Sequence, residues 1–290
     1  MKKSLLGMLI LFSSHCFSAT IDDLGYKSIF RTFYPSMFNA SMEDDQYDGK
    51  QLPQVGIIED NETYLALMYP YEQYKNAFGE DRYLVLIEKR EIDKNEFQLI
   101  NGKFKKIESQ FYGFSNTCHA CYAKADLRIF KKIDSGKYEL VSSSQKDYEP
   151  SNGYGVINLD ISNLNTKIKN IGRSRVGFFR VSSDFSHGLE TTTLNLISLD
   201  ENQIRDFYID IVGSDDSGRY LVESPLSHTL ESDWRIVEEK EDPYFPIEIT
   251  YKGDTYDEKT EKIVKYNKVN MYEYSDKEAV FKLKSSRDYQ

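Results

Sequence analysis

The sequence predicts an all-β protein built from repeated antiparallel hairpins, β-propeller-like in plan, with one short helix near the N-terminus. Three observations lead there. First, Gly177-Phe-Phe-Arg-Val-Ser-Ser-Asp-Phe-Ser-His-Gly-Leu-Glu190 aligns without gaps on Gly218-Arg-Tyr-Leu-Val-Glu-Ser-Pro-Leu-Ser-His-Thr-Leu-Glu231, an offset of 41 residues. The same step back reaches Gly136 to Glu149 and then Asn95 to Glu108. A fixed period in the 20–50 range marks solenoids, propellers and arrays. Second, Ala123, Ala125, Leu127 and Ile129 alternate with polar neighbours, the period of a half-buried strand. Third, aromatic residues reach 14%, with 22 Tyr and 17 Phe, types that suit a pleated surface. The period matches a propeller blade, and an open stack of hairpins or two packed sheets is the alternative architecture.

The elements follow in order. Met1-Lys2-Lys3, an apolar run from Leu5 to Phe12, and Ser18-Ala19 form a secretory signal pattern, with cleavage expected after Ala19. Residues 20–290 then make one β-repeat domain. Ile21, Leu24, Tyr26, Phe30, Phe33 and Tyr34 place apolar side chains at helical spacing ahead of Pro35, a short helix. Val55–Ile58 and Tyr64–Met68 flank Asp60-Asn61, a hairpin turn pair. Tyr69–Asp81 reads as a tyrosine-rich loop and Tyr83–Glu88 as a strand. Asp134-Ser135-Gly136 closes the hairpin that begins at Ala123, because glycine accepts the positive φ of a tight turn. Ser162–Ile171 is a short helix or a polar connection. Thr191–Leu199, Arg205–Val212 and Ile247–Tyr251 are strands. Met271–Tyr274 and Val280–Leu283 make the last hairpin.

Composition narrows the function classes. Cleavage removes Lys2 and Lys3, so the formal charge moves from −10 to −12, with 35 basic residues against 47 acidic. An acidic chain is a poor ligand for nucleic acid or an anionic membrane. No second apolar run is long enough for a membrane span. The Gly-x-Ser-x-Gly, His-Glu-x-x-His, Walker and dinucleotide fingerprints are all missing from the sequence.

Three sets of residues carry candidate chemistry. Cys118-His119-Ala120-Cys121 has three readings. An exported chain would pair Cys118 with Cys121 as a disulfide. A redox-active pair would need an acidified thiol. A zinc site would need a fourth ligand besides the two cysteines and His119. His187 and His228, with Glu190 and Glu231, fall at equivalent repeat positions, either as a repeated turn contact or as a binding rim. Asp44, Gln46 and Asp48, ahead of Gly49, match the first half of a calcium loop, but Val55 stands where the closing glutamate belongs. The expectation is therefore no cofactor, with calcium the one alternative.

The Cys118–Cys121 motif and its following strand, Asp215-Asp216-Ser217-Gly218, Pro246-Ile247-Glu248-Ile249 and the Tyr272-x-Tyr274 hairpin together resemble a group of uncharacterised secreted proteins of Gram-negative bacteria. The resemblance implies export and a β-rich fold, and it implies no activity. The expected function is a non-catalytic periplasmic protein that binds another protein, such as an inhibitor or immunity protein against a toxin or hydrolase. The alternative is a periplasmic enzyme, a thiol oxidoreductase at Cys118/Cys121 or a hydrolase with an unrecognised site.

Overall fold

The computed structural model describes residues 19–40, 46–47, 50–91, 97–100, 103–106, 122–150, 155–220, 224, 226–239, 241–257 and 259–289. Strand accounts for 58% and helix for 5%, so the all-β class holds. In chain order the elements begin β1 Thr20–Ile21, α1 Tyr26–Phe33, β2 Met37–Phe38, β3 Gln46–Tyr47, β4 Lys50–Gln51, β5 Gln54–Glu59, β6 Glu62–Met68, β7 Glu72–Lys75 and β8 Asp81–Glu91. They continue with β9 Phe97–Ile100, β10 Lys103–Lys106, β11 Lys124–Lys132, β12 Tyr138–Ser143, α2 Leu164–Lys167, β13 Lys169–Gly172, β14 Arg175–Ser186 and β15 Leu189–Leu199. The last are β16 Ile204–Asp215, β17 Thr229–Ile236, β18 Ile247–Asp257, β19 Lys262–Lys265, β20 Lys268–Ser275 and β21 Val280–Asp288.

Two antiparallel sheets carry the fold. The first runs β1-β12-β11-β8-β6-β5-β2, with β7 also on β8. The second runs β13-β14-β15-β16-β17-β18-β20-β21, with β19 on β18. Strand alternation assigns their faces. Val85, Ile87, Met68 and Phe130 of the first sheet pack with Ile29 and Phe30 of α1 and with Tyr34, which follows it. The helix forms because Ile29, Phe30 and Phe33 share its inner face, and it ends at Tyr34, ahead of Pro35, which cannot continue it. The other face of this sheet, with Leu84, Leu86, Leu127 and Ile129, buries Val176, Phe178, Ile197, Leu199 and Ile204 of β14, β15 and β16.

A third layer comes from the second sheet itself. β16 pairs with β15 along most of its length but with β17 only at Ser214–Leu230 and Asp215–Thr229. β17 therefore leaves β16 and crosses back over β14, where Trp234 meets Phe179 edge-on. Between these layers lie Leu194, Leu196, Phe207, Ile209, Ile247, Ile249 and Phe281. Backbone bonds from Arg173 to Asp242 and from Phe245 to Ile171 seal the β13 edge.

The architecture corrects the propeller expectation. Among the described residues no closed barrel or propeller forms, and two packed antiparallel sheets stand in its place. Nor do the aligned windows share one conformation. Gly177 lies inside β14, where an added Cβ would meet the Ile197 carbonyl at 2.2 Å. Gly136 sits in the β11–β12 turn at φ +82° with open space around it. Gly218 follows β16 in a turn closed by Arg219 N–H donating to the Asp216 carbonyl at 2.8 Å. Asn95 lies outside the described residues. The recurring letters are those any amphipathic strand with polar turns draws on, so composition repeated where geometry did not. No helix among the described residues is long and apolar enough to cross a membrane, and the signal pattern of residues 1–19 lies outside them except for Ala19.

Candidate functional site

The face of β14, β15 and β16 that meets the first sheet changes character where that sheet ends. Along β14 the same-side residues run Val176, Phe178, Arg180; along β15, Leu199, Ile197, Asn195; along β16, Ile204, Asp206, Tyr208. The apolar members are covered by the first sheet. The polar ones form the floor of a cleft of about 1070 Å³. Its walls are the segment after β12, from Ser144 to Glu149, and the start of β21 at Val280 and Phe281.

Asp206 is the hub of the floor. It accepts hydrogen bonds from the Tyr148 hydroxyl at 2.7 Å, Asn195 Nδ2 at 2.8 Å and Arg180 Nη2 at 3.0 Å. Register explains the convergence, because Arg180 is opposite Asn195 and Asp206 is opposite the next inward residue, Ile197. Tyr148 is held at both ends, since its carbonyl accepts from Ala125 N–H at 2.8 Å. Burial first, and then the Asp206 charge, push the Tyr148 phenol well above its ordinary value. It therefore stays a neutral donor. Three donors fill most of the acceptor capacity of one carboxylate. Asp206 is thus a fastening point whose oxygens are taken up by the scaffold.

The mouth of the cleft is different. Gln145, Glu149, Gln203 and Arg205 line it, and Tyr208 is 52% exposed. Arg205 reaches the Tyr274 hydroxyl at 3.4 Å. This is a rigid floor with tyrosine, arginine and amide groups at its rim, side chains that supply contact area and adaptable hydrogen bonds.

The histidines are placed elsewhere. His187 occupies the β14–β15 turn at φ 52°, followed by Gly188 at φ 80°. This is the pair of positive φ angles that a two-residue hairpin turn requires. The Ser186 hydroxyl lies 2.9 Å from its Nδ1, and its carbonyl accepts from Arg219 Nε at 3.1 Å. His228 lies in the segment before β17. Asp216, only 1% exposed, accepts from His228 N–H at 2.9 Å and from the Ser227 hydroxyl at 3.2 Å. His228 Nδ1 is 2.8 Å from the other Asp216 oxygen but off the line of a hydrogen bond. The two histidine-bearing segments do meet, through Arg219 and the close backbone approach of Gly188 to Gly218. They meet by different conformations, in a single interlock. Glu190 stands opposite Asp215 and Glu231 opposite Lys252, and neither shares a contact with the other.

Cys118, Cys121, Asp44 and Asp48 lie outside the described residues. Gln46 belongs to β3, opposite Gln51 in a two-residue ladder. Among the described residues no group of three or more His, Cys, Asp or Glu side chains is arranged to hold a metal ion. Sequence reasoning missed the Asp206 cluster. Its signal was a charged residue in phase with an apolar alternation, Arg180 after Val176 and Phe178, and Asp206 after Ile204. The chain matches no family model, no curated protein and no solved structure.

Proposed function

We propose that the chain is an exported, non-catalytic binding protein that presents the mouth of the Asp206 cleft to another protein, as an inhibitor or immunity protein does toward a toxin or hydrolase in the periplasm. The signal pattern of residues 1–19 and the acidic charge of the chain support this reading. One observation carries it: the carboxylate at the cleft floor is consumed by Tyr148, Arg180 and Asn195, while Tyr208 stands exposed at the rim beside Arg205, which rests on the Tyr274 hydroxyl. A site built for recognition needs rigid support beneath exposed tyrosine and arginine.

The test is capture from periplasmic extract, or from secreted effectors encoded beside this chain, by the purified protein and by its Tyr208→Ala and Arg205→Glu variants. The reading expects a specific partner that both variants lose, with unchanged far-ultraviolet spectra. Capture equal in wild type and variants moves the contact away from the cleft, and absence of any partner removes the reading.

A further inference from the structure

A second concave site lies on another part of the molecule. Because β17 leaves β16 after two residue pairs and crosses over β14, a groove of about 500 Å³ opens between β13–β14 and β17. Its aromatic wall is Trp234, with the Phe179 ring edge-on at 6.3 Å and 69°. Lys167, Lys169 and Arg235 line it against one acid, Glu238. In a chain of net charge −10, cationic side chains gather around the sole tryptophan.

The cations are not equally committed. Lys167 is paired with Asp160 at 2.5 Å and Arg235 with Glu248 at 2.7 Å. Lys169 has no ionic partner among the described residues. The guanidinium of Arg235 is exposed, but its partner Glu248 is largely buried and takes two of its donors, which leaves Lys169 as the cation open to an incoming anion. Aromatic faces accept flat or ring-shaped groups, and convergent polar groups fix their orientation.

We propose that this groove binds a carboxylate carried on a stackable ring, with the ring against Trp234 and the carboxylate on Lys169. Two sources share that chemistry, a uronic-acid saccharide and an aromatic acid.

The single tryptophan makes the test direct. The purified chain is titrated with a trimer of galacturonic acid, with the matching neutral galactose trimer, and with benzoate. Tryptophan emission follows the saccharides and calorimetry follows all three. A saturable shift in emission with the uronate and none with the neutral trimer is expected, weakening with added salt. Lys169→Glu is expected to weaken binding at least tenfold, and Lys169→Arg to restore it. Since Lys169 is exposed, neither change threatens the fold. Binding of benzoate without the uronate assigns the site to aromatic acids. Equal response to the neutral trimer, binding undiminished in Lys169→Glu, or silence toward both acids overturns the proposal.

Discussion

Tyr148 donates to Asp206 across 2.7 Å and so ties the segment behind the first sheet to a strand of the second. The bond is one of three on that carboxylate, and the guanidinium of Arg180 depends on it for its charge partner. Removing the acid leaves a nearly buried cation alone. Asp206→Ala is expected to cost about 3 kcal/mol, whereas Tyr148→Phe, which removes one neutral donor, is expected to cost about 1 kcal/mol. Urea unfolding of both variants measures the difference. An unchanged midpoint for Asp206→Ala contradicts the pairing.

Acid should weaken the first sheet at a second carboxylate. Asp126 is buried beside Lys89 at 3.0 Å and Arg128 at 3.0 Å, and it accepts the Tyr34 hydroxyl. Burial alone pushes its carboxyl up, but Lys89, Arg128 and the Tyr34 bond together hold it below the ordinary carboxylate value. A depressed folded value stabilises at every pH above the unfolded one, about 3.9, and that contribution is lost as pH falls through the folded value. Stability measured in urea from neutrality into acid should therefore drop below about pH 4, and Asp126→Asn should flatten that limb while lowering the neutral plateau. An acid limb as steep in the variant would assign the loss to other groups.

Alkali acts with the opposite sign. Burial raises the phenols of Tyr34, Tyr74, Tyr148, Tyr244, Tyr251 and Tyr272 above their ordinary value, and that of Tyr64 to about 12. Raised values stabilise fully below the unfolded phenol value of about 10 and lose that contribution as pH climbs past it. Phenolate absorbance should rise in two stages, the later one coinciding with loss of the near-ultraviolet circular dichroism. A single stage with the fold intact would show these rings open to solvent.

Two glycines from the aligned windows should respond differently. At Gly177 a Cβ would press on the Ile197 carbonyl at 2.2 Å and on Ile171 at 2.7 Å, so Gly177→Ala should cost about 2–3 kcal/mol through overpacking. At Gly136 nothing lies within 4 Å, and Gly136→Ala should cost about 1 kcal/mol, the strain of a left-handed backbone alone. Equal losses in thermal or urea unfolding would mean that the two glycines do the same work, as a true structural repeat demands.

Much of the local structure was legible in the residues. Alternation placed β11, Asp60-Asn61 and Gly136 marked the β5–β6 and β11–β12 turns by the positive φ they adopt, and the spacing of Tyr26, Phe30 and Phe33 placed α1. What failed was long-range order. β7 fell inside a segment read as a loop, because its four residues carry only one buried side chain, Tyr74. The recurring Gly-aromatic-aliphatic letters encode strand and turn composition, which says nothing about which strand pairs with which. The Asp206 cluster was hidden for the same reason, since Tyr148, Arg180, Asn195 and Asp206 are joined by register and layer packing. A single charged residue in phase with the apolar alternation on each of two strands, Arg180 and Asp206, gave the local trace of it.

The scant ladder between β16 and β17 has a mechanical meaning. The ladder between β16 and the C-terminal strands is confined to Ser214–Leu230 and Asp215–Thr229, and the Arg173–Asp242 and Phe245–Ile171 bonds at the β13 edge are separate backbone ties. A force that separates the two parts is carried by that short seam together with the two bonds at the β13 edge. The β14–β15–β16 ladders are much longer, so the C-terminal layer peels away as a flap before the body comes apart.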